Sequence, residues 1–170
     1  METIPYDKRS GKIWFNGELV EWKDARVHLL SHGLHYASCV FEGERVYDGE
    51  IFKLEEHTDR LFHSAKRMGM VMPYTPNDIN KACKEIIAAQ KIKNGYVRPV
   101  VGRGSEMMAI SAQKNKIHVA IASWEWGSYF DPKFKLKGIK LNISSWRRPS
   151  PNSVPWDTKA AGLYMICTLS

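Results

Sequence analysis

Lys159 stands in PWDTKAAGLY (residues 155–164), with small and apolar residues directly after it and Tyr164 five positions on. A lysine amine becomes nucleophilic when burial or a neighbouring cation destabilises its ammonium form, and it then condenses with aldehydes. Ala160, Ala161, Gly162 and Leu163 offer an ammonium little polar shielding. Side chains that small let a flat ring approach the backbone, and a hydroxyl such as that of Tyr164 can hydrogen-bond a phenolate oxygen on that ring. Pyridoxal phosphate is the common biological aldehyde of this shape, and enzymes hold it through a lysine Schiff base. The competing reading is an exposed helix lysine, the usual condition of the residue.

Two arginines carry further chemistry. Arg60, in EEHTDRLFHSAKRM, lies beside an apolar helical stripe. From there a guanidinium can reach across and grip a phosphate through two parallel hydrogen bonds; the alternative is a surface pair with Glu56, one turn earlier. Arg98, in GYVRPVV, puts a charge into an otherwise apolar strand. That is costly unless an anion such as a substrate carboxylate meets it, or unless it points from the solvent face of a half-buried sheet. His28, His32 and His35, in HLLSHGLHY, have a spacing seen in metal ligands on a helix. No nearby Glu or Cys completes the set and Gly33 is expected to break the helix, so packing and local hydrogen bonding are expected rather than a metal.

The elements that must position these residues are legible as punctuation and periodicity. Asn16-Gly17 sits between Ile13–Phe15 and Glu18–Val20, a strong hairpin signal. Cys39–Tyr47 is strand-like, and Asp48-Gly49 turns it into Glu50–Phe52. Leu54, Leu61, Phe62, Ala65 and Met68 form one helical face over Leu54–Met68, with Gly69 as a suitable C-cap. A second helix begins at Thr75-Pro76, buries Ile79, Cys83, Ile86 and Ile87, and stops at Asn94-Gly95. Strands are expected at Tyr96–Val101, Ile117–Ser123 and Ile139–Ser145, and a last helix after Pro155 with Asp157 or Thr158 near its cap. Hairpins and two helices without βαβ alternation predict an α+β fold. The expected organisation is a small domain over 1–125, an antiparallel sheet with two helices. A junction over 126–138 and the beginning of a second, incomplete domain over 139–170 follow.

Composition narrows the class. The 170 residues suit about one domain, and 44% of them are apolar, enough for a core. No apolar run is long enough to span a membrane, and the first twelve residues, METIPYDKRSGK, lack the apolar region of a signal peptide. Cys39, Cys83 and Cys167 are odd in number and widely spaced, which argues for a reducing compartment and a cytoplasmic location. The net charge of +7 is uneven: residues 1–80 hold 10 Lys and Arg against 13 Asp and Glu, residues 81–170 hold 15 against 5. A basic half suggests an anionic partner, but no nucleic-acid motif accompanies it, and the six tryptophans lie among apolar residues where packing explains them. No nucleic acid and no membrane is expected as partner.

Taken in order, IWFNGELVEWKDARVHLLSHGLHYASCVFEGERVY, HTDRLFHSAKRM, GYVRP, HVAIASWEWGSYF and SSWRRPSPNSVPWDTKAAGLY resemble the class IV aminotransferases, the fold-type IV pyridoxal-phosphate enzymes. The resemblance runs from Lys12 to Tyr164 and is closest to the branched-chain amino acid aminotransferases. It implies that Lys159 forms the imine with pyridoxal 5'-phosphate and shuttles the proton, that Arg60 binds the cofactor phosphate, and that Tyr164 faces the phenolic oxygen. It implies further that Tyr96 and Arg98 receive the substrate carboxylate, that Tyr36, Phe41, Arg45 and Tyr129 line the pocket, and that GRGSEMMAIS (102–111) closes over it. Some of these residues serve a neighbouring subunit in the family, so a homodimer is implied. The implied reaction moves an amino group from branched-chain amino acids to 2-oxoglutarate. Sibling activities within the family are a D-amino acid aminotransferase and an aminodeoxychorismate lyase, and a further alternative is an inactive fragment. The chain looks like the N-terminal part of a longer family member. The acidic partner of the pyridine nitrogen and the rest of the phosphate cup fall beyond the matched segments.

Overall fold

Asn16 and Gly17 both take positive φ, 51° and 107°, as do Asp48 and Gly49, 50° and 84°. Two-residue turns of this hand match the twist of the strands they join. They close β1 (Lys12–Phe15) onto β2 (Glu18–Glu21), and β4 (Glu44–Tyr47) onto β5 (Glu50–Ile51). The computed structural model describes residues 4–127 and 132–170. Within them one antiparallel sheet runs β2-β1-β7-β6-β4-β5, where β6 is Gly95–Arg103 and β7 is Ile117–Glu125, and β3 (Cys39–Phe41) also pairs with β6.

The expected strand Cys39–Tyr47 is broken in two for a reason its partner supplies. Phe41 pairs with Val100 and Glu44 with Val97, so the register is unbroken and places Glu42 opposite Pro99. Glu42 donates its N–H to the Pro99 carbonyl, 2.9 Å away. Proline has no N–H to return, so the ladder lapses for that step.

Helix α2 (Leu54–Arg67) and α3 (Pro76–Ala89) cover one face of this sheet. Leu54, Leu61 and Ala65 are buried, with Phe62 and Met68 packed against the core, as the periodicity predicts. Ile79, Cys83, Ile86 and Ile87 bury the stripe of α3. Thr75 and Asp78 form a reciprocal capping box at its start. Gly69 ends α2 in the left-handed region, and the N–H of Met70 reaches back to the Ala65 carbonyl at 2.9 Å. Helix α3 ends earlier than the Asn94-Gly95 stop expected, because Lys91 itself takes φ 54° and Ile92 closes the same motif on Ile87. Side chains along the strands alternate between that buried face and the opposite one: Val40, Glu42, Glu44, Val46, Val97 and Val101 point toward the helices, so Phe41, Arg45, Tyr96 and Arg98 lie on the other side.

Two expected elements are absent or displaced. Residues 139–145 form no strand among the described residues, no strand among them pairs with this segment, and Leu141 and Ile143 stand exposed. The helix expected to cap at Asp157 or Thr158 begins later, as a 3-10 turn over Ala161–Tyr164 followed by a short α-helix, Met165–Leu169. Lys159 and Ala160 are extended instead, because they pair with β3. Helix α1 (His32–Tyr36) includes Gly33 rather than breaking there.

Glu44 is an anomaly in the helix-facing layer. It is fully buried and neither carboxylate oxygen meets a hydrogen-bond partner among the described residues. Burial, and after it the charge of Glu42, push its carboxyl from 4.5 up to about 8. Between those values the folded chain keeps a proton that the unfolded chain gives up, so stability falls as pH rises through that window and levels off above it. The Glu44→Gln variant is expected to abolish that slope and to be more stable than the parent above pH 8, by about 2 kcal/mol or more. Thermal melts of both chains between about pH 5 and 9 test this; superimposable pH profiles would contradict it.

Candidate functional site

The site is built where β3 meets the segment carrying the lysine. Val40 bridges Ala160 in antiparallel sense, and the Phe41 N–H donates to the Lys159 carbonyl at 3.2 Å. With Ala160 buried beside Val40 on the helix-facing side, the alternation of side chains puts Lys159 on the same face as Phe41. The Lys159 N–H donates to Ser64 Oγ of α2 at 3.0 Å, and Asp157 accepts from His63 at 3.1 Å and from Arg67 at 3.2 Å. The lysine is thus fixed by its backbone, leaving the side chain to extend.

Its amine donates to Tyr164 Oη at 2.5 Å. It lies 4.9 Å from the centre of the Phe41 ring and 4.8 Å from that of Tyr164, and the two rings are 4.8 Å apart. Arg98 approaches the same Phe41 ring at 4.6 Å. It donates to Tyr96 Oη at 3.0 Å, while its buried Nε has no partner among the described residues. The alternatives left open for Arg98 therefore resolve partly: it lies on the half-buried face, with a donor unused. Aromatic faces favour a nearby cation, so one phenylalanine gathers both positive groups. Gly43 makes room for this arrangement, since a Cβ there would fall 1.8 Å from Tyr96 Oη.

Arg60 extends from α2 toward the break between β3 and β4, on the helix-facing side of the sheet. It pairs with Glu42 rather than Glu56: Nε donates to Oε1 at 2.6 Å and Nη2 to Oε2 at 2.7 Å, while Glu56 is taken by Lys53. His57 Nδ1 lies 2.8 Å from Glu42 Oε2. Burial alone would raise the Glu42 carboxyl, but the hydrogen bonds and charges of Arg60 and His57 outweigh it and hold the group below its ordinary value. Arg60 is within electrostatic reach of Tyr164, which ties the arginine to the lysine cluster.

Other expected residues lie further out. Arg45 is paired across the ladder with Tyr96 and donates to the carbonyls of Trp126 and Gly127 at 3.1 and 3.4 Å. Tyr36 is partly exposed and its ring lies tilted against His32, 4.6 Å between centres. Tyr129 falls outside the described residues. The loop 102–111 is braced by Asn115, which donates to the carbonyls of Gly104 and Met107, and by Arg103, which donates to the Ala112 carbonyl. The three histidines go separate ways: His28 accepts from the Leu30 N–H, His35 bonds the Leu29 carbonyl, and His32 is buried. A cavity of about 480 Å3 opens beside the lysine cluster rather than on it, between the sheet residues Cys39, Val100 and Ala120 and the stretch from Arg26 to Leu34.

Sequence reasoning missed Glu42, Gly43 and Ser64. The EGER motif carried a signal for the first two, since a carboxylate and a glycine in mid-strand are both out of place there unless something needs them.

The chain as a whole has counterparts among known proteins. A family model described as Amino-transferase class IV matches residues 39–169. The branched-chain-amino-acid aminotransferase of Pseudomonas aeruginosa is 44% identical over 166 residues, which are 95% of this chain and 54% of that protein. The T.th. branched-chain amino acid aminotransferase, solved with pyridoxamine 5'-phosphate, superposes with a TM-score of 0.89 at 36% identity, covering 95% of this chain and 54% of that one. The branched-chain aminotransferase of Thermoproteus uzoniensis, solved with norvaline, gives 0.87 at 34% identity, over 95% and 55%. This chain belongs to the class IV aminotransferase family. It spans about half the length of the curated relatives it matches.

The anchoring of Lys159 is testable apart from any reaction. Ser64→Ala leaves the Lys159 N–H without its acceptor in a buried setting and is expected to cost about 1 kcal/mol, read as a lowered urea midpoint with unchanged slope. An unchanged midpoint would show that Ser64 does not hold the segment.

Proposed function

We propose that the protein is a pyridoxal-phosphate-dependent aminotransferase that moves the amino group of branched-chain amino acids to a 2-oxo acid such as 2-oxoglutarate. The observation that carries this reading is the Lys159 amine on Tyr164 Oη at 2.5 Å, above Phe41 and on the face where Arg98 has a donor unused. The names of the relatives reported above support the substrate class.

The residues present fit the cofactor. Lys159 would hold its aldehyde carbon, Tyr164 its phenolic oxygen and Arg60 its phosphate. When bound, pyridoxal phosphate supplies an electron sink for charge developing at the substrate Cα. The chain's own residues do the rest. Lys159 takes and returns the Cα proton, Arg98 and Tyr96 hold the substrate carboxylate, and Phe41 offers an apolar wall to a branched side chain. Arg45 and Tyr129 complete the pocket rim, and Tyr36 serves the site of a second copy in a homodimer. Exposed Val27, Leu29 and Leu34 beside Tyr36 support that dimer. Residues 1–125 form the small domain, 126–138 the junction and 139–170 the start of the large one, a division supported by the exposure of Leu141, Ile143 and Trp146. No helix among the described residues is long and apolar enough to cross a membrane, and Cys39, Cys83 and Cys167 are free, in keeping with a cytoplasmic enzyme.

With pyridoxal phosphate and 2-oxoglutarate, the purified protein is expected to use L-leucine, L-valine and L-isoleucine as donors far faster than D-alanine, and to form no pyruvate from aminodeoxychorismate. Lys159→Ala is expected to reduce kcat by about 10³-fold or more. Preference for D-amino acids would overturn the substrate class, and full turnover by Lys159→Ala would overturn the role of the lysine.

A further inference from the structure

We propose that Glu42, steadied by His57, is a positioning residue that aims the guanidinium of Arg60 at the cofactor phosphate; this rests on the cofactor reading given above. Arg60 is half-exposed on α2, where a long side chain left to itself samples many rotamers. Glu42 is its opposite, with no exposed side-chain surface and a backbone held to Pro99. The carboxylate engages one edge of the guanidinium through both oxygens, at 2.6 and 2.7 Å, and its second oxygen is also met by His57 Nδ1 at 2.8 Å. A guanidinium has five donors in a planar fork. Glu42 consumes the Nε proton and one on Nη2. Nη2 also lies 3.4 Å from His57 Nδ1, so the protons left for a phosphate are the two on Nη1.

This arrangement has a cost and a benefit. The carboxylate offsets the positive charge of Arg60, which weakens attraction to any anion. It also fixes the plane of the fork, so that a phosphate meets two donors in one geometry without ordering the side chain first. Positioning predicts that the benefit prevails. A purely structural role, tying α2 to β3, predicts no specific effect on phosphate. Simple charge neutralisation predicts that removing the carboxylate tightens phosphate binding.

Dissociation constants for pyridoxal phosphate and for pyridoxal, which lacks the phosphate, separate these cases when measured on the intact chain. The fold by which the phosphate tightens binding isolates what that group contributes. Glu42→Gln keeps the shape but loses the charge and one acceptor, and is expected to lower that fold about tenfold. Glu42→Asp keeps the charge but shortens the reach, and is expected to lower it as well, so the proposal stays testable if the glutamine variant does not fold. In an Arg60→Met background, Glu42→Gln is expected to leave it unchanged. An unchanged value in both single Glu42 variants, or a raised one in Glu42→Gln, would overturn the proposal. If Arg60→Met alone leaves it unaltered, Arg60 does not bind the phosphate, and the cofactor reading of that residue fails together with the proposal.

Discussion

One backbone pairing, Val40 against Ala160, decides where the lysine amine goes. Strand β3 already pairs with β6 along one edge; along the other it accepts the extended segment around Lys159. Because side chains alternate across a strand, burying Ala160 on the helix-facing side obliges Lys159 to join Phe41 on the other. A register one residue away would bury the lysine under the helices and expose the alanine. The same pairing explains why the helix after Pro155 starts late, since a residue cannot serve a ladder and a helix at once. The small side chains of Ala160 and Gly162 fit this arrangement. Gly162 lies so near Ala37 that a Cβ would approach the Ala37 Cβ to 2.9 Å.

Charge is distributed around this pairing in two layers. On the lysine's face, Lys159 and Arg98 share an aromatic ring instead of a carboxylate. Among the described residues no acidic side chain neutralises either cation there, so an incoming anion meets an uncompensated positive field. On the helix-facing side the two glutamates of EGER divide their labour. Glu42 is charged because Arg60 and His57 stabilise it, whereas Glu44, two residues on and equally buried, meets no cation among the described residues and keeps its proton at neutral pH. Two buried glutamates two positions apart therefore hold opposite protonation states, set by which neighbour α2 supplies.

Much of this was legible in the sequence, for physical reasons that can be named. The turns at Asn16-Gly17 and Asp48-Gly49 announce themselves because few other residues accept positive φ twice in succession. The stripes of α2 and α3 follow from one-sided burial. Lys159 and Arg98 stand out because their charges sit among apolar neighbours, and Tyr164 because it follows the lysine by five positions; the structure brings these three together with Phe41 and Tyr96. What stayed hidden depends on pairings distant in sequence. The break at Glu42 needs Pro99 opposite, 57 positions away in this chain. The partner of Arg60 lies in the sheet beneath its helix and not one turn along it. The expected strand over 139–145 has the right composition, but a strand exists only where an edge receives it.

The central claim is that the fold singles out one lysine of this chain for an aldehyde, and peptide mapping tests it most directly. The purified chain would be incubated with pyridoxal phosphate, reduced with borohydride, digested and analysed by mass spectrometry. An adduct confined to the peptide containing Lys159 is the expected result. Labelling spread over the surface lysines, or none at Lys159, would contradict it.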